Sequence, residues 1–137
     1  PVSCAAARCR TDQRRGGGVG RPRRAPERYI RKALESLLDL PGAGAVHSAG
    51  LVGCVQCLLD PSQPDGTEQD RAFAARVDEI CFELGLIVRP IAERCVISPP
   101  LVITRAQIDD VVGILRKAIE QAGQEAGLTS PAGAAAG

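Results

Sequence analysis

The 137-residue chain has one tyrosine, two phenylalanines, no tryptophan and no methionine. Any core must therefore be aliphatic, and the length allows one domain at most. Long hydrophobic runs are also missing. The longest, such as "GLIVRPI", are far too short to cross a bilayer, and no basic-then-apolar signal segment opens the chain, so a cytoplasmic location without a membrane partner is expected. With no initial methionine and an Ala/Gly-rich tail, "SPAGAAAG", the chain reads as a piece of a larger reading frame.

Histidine and lysine are scarce. His47 stands alone, with no cysteine or carboxylate patterned around it, and reads as structural rather than catalytic. The stretch "GAGAVHSAG" has no lysine for a P-loop, misses the last glycine of a dinucleotide fingerprint and follows a helix, so it is no phosphate cradle. Six cysteines with scattered spacing give no disulfide framework in a cytoplasmic chain. Cys54-Val-Gln-Cys57 has zinc-like spacing, with Cys4, Cys9, Cys81 and Cys95 as further candidate ligands. The pair sits in an apolar strand, where residues three apart face opposite ways, so buried free thiols are expected and no metal-binding residue is assigned.

Charge is unevenly distributed. Residues 1 to 28 hold eight arginines against only Asp12 and Glu27, which leaves the rest of the chain acidic. "RCRTDQRRGGGVGRPRR" has a glycine triplet and no apolar period, so residues 1-24 are expected to be disordered or mis-framed. A solvated tail is the plain reading. Nucleic acid or another acidic partner is the alternative, since arginine-rich tails grip phosphates.

From Ala25 the pattern becomes regular. "APERYIRKALESLLDLPG" predicts a helix with Ile30, Leu34, Leu37 and Leu38 on one stripe, ended by Pro41-Gly42. "AVHSAGLVGCVQCLLD" predicts one or two strands, closed by the turn "DPSQPDG". A second helix begins at the cap Thr67, buries Phe73, Val77, Ile80, Cys81 and Leu84, and stops at Gly85. "LIVRPI" and "RCVISPP" predict short strands around a turn near Ala92-Glu93. A third helix opens with the capping box Thr104 to Gln107, carries the stripe Ile108, Val111, Val112, Leu115 and Ile119, and frays past Gly123. The expected fold class is α+β, a small antiparallel sheet covered by helices on one face.

Arg89 interrupts the aliphatic run directly before a proline. Alternation sends Leu86 and Val88 to one face and Ile87, Arg89 and Ile91 to the other. A planar fork of donors held beside an apolar wall suits bidentate capture of a carboxylate. An internal ion pair with Glu93 is the competing reading, and local sequence alone favours it.

Several motifs then agree in order. "PVSCAAA" at the start, "SAGLVG", "GLIVRP", "SPPLVIT" and the final helix resemble the carboxy-terminal part of the class III pyridoxal-phosphate-dependent aminotransferases, which include omega-amino-acid and diaminopelargonate enzymes. The similarity covers residues 1 to 7 and roughly 24 to 122. It implies the small domain of a fold type I enzyme over residues 25-122; the apolar pattern lapses beyond, so 123-137 is expected to be a disordered tail. It also implies a homodimeric parent that transfers amino groups between amines or amino acids and keto acids. By the same resemblance Arg89 is the substrate-binding residue: it holds the substrate carboxylate and swings aside for amines that lack one. The Schiff-base lysine and the other pyridoxal phosphate ligands precede Pro1 in the family, so no catalytic or cofactor-binding residue is assigned, and the piece alone is expected to bind no cofactor and to be inactive. Lys32 and Lys117 match no Schiff-base motif. His47-Ser48 replaces a usual arginine-glycine, and residues 8 to about 22 replace a helix, as an out-of-frame reading of a G/C-rich gene would. A non-catalytic interaction module with a basic arm and a zinc-dependent binding protein are the other two readings.

Overall fold

A computed structural model describes residues 24–63 and 66–128. The basic segment 1–23, with Cys4, Cys9 and "PVSCAAA", lies outside the described residues, as does 129–137.

Helix α1, Arg24–Glu35, runs into a 3-10 turn, Ser36–Asp39. Strands β1, Ala43–Ala49, and β2, Val52–Cys57, form a hairpin. Helix α2 spans Glu68–Glu83, strands β3 and β4 span Arg89–Ile91 and Arg94–Ile97, and helix α3 spans Arg105–Glu125. The sheet is antiparallel throughout, in the order β1-β2-β4-β3. Its inner face carries Val55, Cys57, Cys95 and Ile97 against the helices. The α+β class expected from the sequence is the one observed.

The core is aliphatic, as the scarcity of aromatics requires. Ile30, Leu34 and Leu37 from α1 and its extension meet Val77, Ile80, Ile108, Leu115 and Ile119, all almost fully buried. The 3-10 turn changes the helical period. Leu38 is consequently 45% exposed and Leu40 takes the core position expected for it. Leu84 is likewise not a core residue; it is the C-cap of α2 and points outward. Helix α3 continues past Gly123, because Leu128 donates its backbone N–H back to the Gly123 carbonyl at 2.7 Å around Gly127, whose φ is +80°.

Capping follows the sequence closely. Thr104 Oγ1 accepts from the Gln107 N–H, and Gln107 Oε1 accepts from the Thr104 N–H. At α2, Thr67 and Asp70 make the same reciprocal box. Asp70 does more than cap. Its carboxylate also accepts the N–H of Leu59 at 2.8 Å, so one buried acid fastens the exit of β2 to the start of α2. Burial raises its pKa, but the N–H groups of Leu59 and Thr67 and the Thr67 hydroxyl outweigh burial and hold the carboxyl below its ordinary range. Gly53 faces Leu34 so closely that a Cβ there would strike its Cδ1 methyl, which sets the approach of α1 to the sheet.

Candidate functional site: Arg89 on the uncovered sheet face

Among the described residues the helices all pack on one side, so alternate residues of each strand emerge on the other, which no described helix covers. Strand register places four of them in one transverse row: His47 pairs with Cys54, Cys54 with Val96, and Val96 with Arg89. Strand spacing puts the ends of this row about 14 Å apart. Beside the row lies a shallow trough of about 240 Å³ lined by Ala49, Val52, Cys54 and Val96. The uncovered face is thus a floor of small and branched side chains with a guanidinium at its far edge.

Arg89 is presented by opposite tendencies within one short segment. Val88 is buried and anchors the entry to β3, whereas Ile87 is 81% exposed and Arg89 and Ile91 also face outward. The alternation read from the sequence is therefore observed, although the ladder begins only at Arg89. Pro90 contributes no N–H donor, which suits an edge strand and restricts the backbone beside Arg89. Among the described residues no carboxylate pairs with Arg89. Arg31, Arg76, Arg94 and Arg116 have acidic partners and Arg105 lies over the Tyr29 ring, whereas Arg28 and Arg71, like Arg89, have no acidic partner among the described residues. The ion pair between Arg89 and Glu93 is not formed. Glu93 occupies the hairpin turn, folds toward Gln56 of β2 and lies beside Arg94 at the start of β4 instead.

Other candidates separate from this site. Cys54 lies on the uncovered face, while Cys57 points into the core, with its sulfur 3.8 Å from that of Cys95. The two cysteines therefore diverge, as their spacing in a strand requires, and no group of three or more potential metal ligands occurs among the described residues. Contact with Cys57, followed by burial, pushes the Cys95 thiol far up, and burial raises Cys81 to about 12. "GAGAVHSAG" is a strand and its turn, with Gly50 at φ +62°. Lys32 and Lys117 are exposed on α1 and α3, in the helical layer, so neither offers an amine at the uncovered face. The described residues therefore do not fit an aldehyde cofactor that needs one. Sequence reasoning missed Arg94, which alternation from Val96 could have placed on the same face as Arg89. It also missed the buried Gln56–Glu93 contact, for which the sequence holds no signal.

What this arrangement can do is hold an anion at the edge of an apolar floor. No family model matches the chain. Putrescine–pyruvate aminotransferase of Pseudomonas aeruginosa is 32% identical over 93 residues, which covers 68% of this chain and 20% of that protein. An omega-aminotransferase of Caulobacter vibrioides is 29% identical over 121 residues, 88% of this chain and 26% of its own length. A transaminase solved with L-alanine superposes with a TM-score of 0.71 at 28% identity, covering 76% of this chain and 24% of that one. The curated homologues of this chain are class III-type aminotransferases, and its structural neighbours are omega-transaminases. The chain spans about a fifth to a quarter of the length of the curated relatives it matches. No described helix is long and apolar enough to cross a membrane.

Proposed function

We propose that residues 25–122 are the carboxy-terminal small domain of a pyridoxal-phosphate-dependent aminotransferase, and that Arg89 binds the carboxylate of its amino-acid and keto-acid substrates. The observation that carries this reading is the placement of Arg89: outward on the uncovered sheet face, its backbone held between buried Val88 and Pro90, with no carboxylate partner among the described residues. The aminotransferase relatives support this reaction class, and with it the pyridoxal phosphate cofactor that the sequence resemblance implies. When bound, that cofactor supplies the electron sink for amino transfer.

The work of this chain is narrower. A guanidinium offers two parallel N–H donors to a carboxylate and keeps its charge at any physiological pH. The apolar floor beside it accommodates the substrate's carbon skeleton and lowers the local dielectric, which strengthens the contact. An amine without a carboxylate gains nothing from that charge, so a flexible side chain on a fixed backbone can turn away to admit it. The Schiff-base lysine belongs to the remaining length of the enzyme, and the isolated chain is inactive. The test is transamination and pyridoxal phosphate absorbance, measured for this chain alone and for the complete gene product that carries it. Activity and cofactor absorbance are expected only in the complete product. Their absence from both would refute the assignment.

A further inference from the structure

The hairpin that presents Arg89 is weakly built. Strand β3 has three residues, among the described strands pairs with β4 alone and is exposed along its length, and Pro90 withholds one donor. Its turn is costly as well, because Ala92 sits at φ +54°, in the left-handed region that glycine favours. An edge strand of this kind frays readily, yet a bidentate contact requires a fixed guanidinium.

The next residue is the exception. Glu93 is only 9% exposed, although it is a charged residue in a two-residue turn. Its main-chain carbonyl accepts the Cys57 N–H at 2.7 Å, beyond the end of the regular ladder. Its Oε1 accepts from Gln56 Nε2 at 3.4 Å and lies 3.5 Å from Arg94 Nε. Gly66, just before α2, lies against the carboxylate: a Cβ on it would stand 2.6 Å from Oε2. Three separate elements therefore converge on one turn side chain. Glu93 also gives Arg94 a counter-charge. Arg94 is the diagonal neighbour of Arg89 on the same face, at roughly 7–8 Å between such positions.

We infer that Glu93 is a positioning residue for Arg89: it fastens the free end of the β3–β4 hairpin to β2 and packs it against Gly66 before α2, while buried Val88 holds the other end. This rests on the carboxylate-binding role assigned to Arg89. Two measurements test it. In this chain, Glu93→Ala should speed amide hydrogen exchange in the β3–β4 ladder by about tenfold or more while α1 and α3 keep their wild-type rates. Equal acceleration throughout, or none, overturns the local role. In the complete aminotransferase carrying this segment, Glu93→Ala should raise KM for pyruvate by about tenfold with kcat nearly constant, the signature of a displaced binding group rather than a damaged fold. Glu93→Gln keeps the shape and an oxygen acceptor for Gln56, and should recover most of the loss. Arg89→Ala, measured in parallel, separates the two claims. If it leaves KM for pyruvate unchanged, the carboxylate reading fails. If it raises KM and Glu93→Ala does not, Arg89 stands and the positioning role fails.

Discussion

Removing the Asp70 carboxylate is the sharpest test of the fold, because one side chain joins a strand exit to a helix start. In Asp70→Ala the Leu59 N–H loses an acceptor at 2.8 Å, and the Thr67 N–H and hydroxyl lose theirs at 2.7 and 2.8 Å. A hydrogen bond to a charged acceptor contributes about 1.5–3 kcal/mol, and loss of an N-cap costs about 1 kcal/mol. The three contacts share one carboxylate and are not additive, and burial of the charge opposes them, so the expected net loss is about 2–4 kcal/mol. That is a large share of the stability of a domain this size, and it should lower Tm by on the order of 10 °C or more. Thermal and urea unfolding followed by circular dichroism measure it. The pH dependence gives a second reading. The folded pKa lies below the unfolded value of about 3.9, so the contribution is fully present above about pH 5 and is lost as pH falls through the unfolded and then the folded pKa. Asp70→Asn cannot ionise and should show no such loss. A change below about 0.5 kcal/mol in Asp70→Ala, or the same acid profile in wild type and Asp70→Asn, would refute the reasoning.

Two further outcomes are expected. Gly53→Val should destabilise by about 1–3 kcal/mol in chemical unfolding, because Leu34 is fully buried and cannot yield to the added methyls; a neutral change would mean that α1 does not pack as described. Among the described cysteines, maleimide at neutral pH should label Cys54 first, with Cys57, Cys81 and Cys95 reacting only on unfolding, as read by peptide mapping. Early labelling of Cys95 would contradict its place in the core.

Local chemistry made most of the fold legible in the sequence. Thr67 and Thr104 announce their helices because capping is a contact among residues four apart or fewer, and Gly85 and the turn at Ala92-Glu93 mark their boundaries for the same reason. The faces of Arg89, Cys54 and Cys57 followed from a strand period of two. Failures occurred where tertiary packing changed a local period. Leu38 left the core when α1 tightened into a 3-10 turn, and Gly123 remained helical because Leu128 packs back upon it. The partner of Glu93 was also hidden. Proximity in sequence suggested Arg89, but the hairpin turns Glu93 toward Gln56, 37 residues away. Such a contact depends on the register of β2 with β4, which no local pattern encodes.

The most direct measurement of the proposed role of Arg89 is kcat/KM for a keto acid and for a carboxylate-free amine, in the complete gene product carrying this segment, with Arg89 and with Arg89→Ala. A charge-assisted bidentate contact contributes roughly 1.5–3 kcal/mol, so the keto acid should lose about ten- to a hundredfold while the amine changes little. Arg89→Lys should restore only part of that loss, because an ammonium lacks the planar fork. Equal losses on both substrates, accompanied by lower stability of the folded protein, would contradict carboxylate binding and make Arg89 a structural residue.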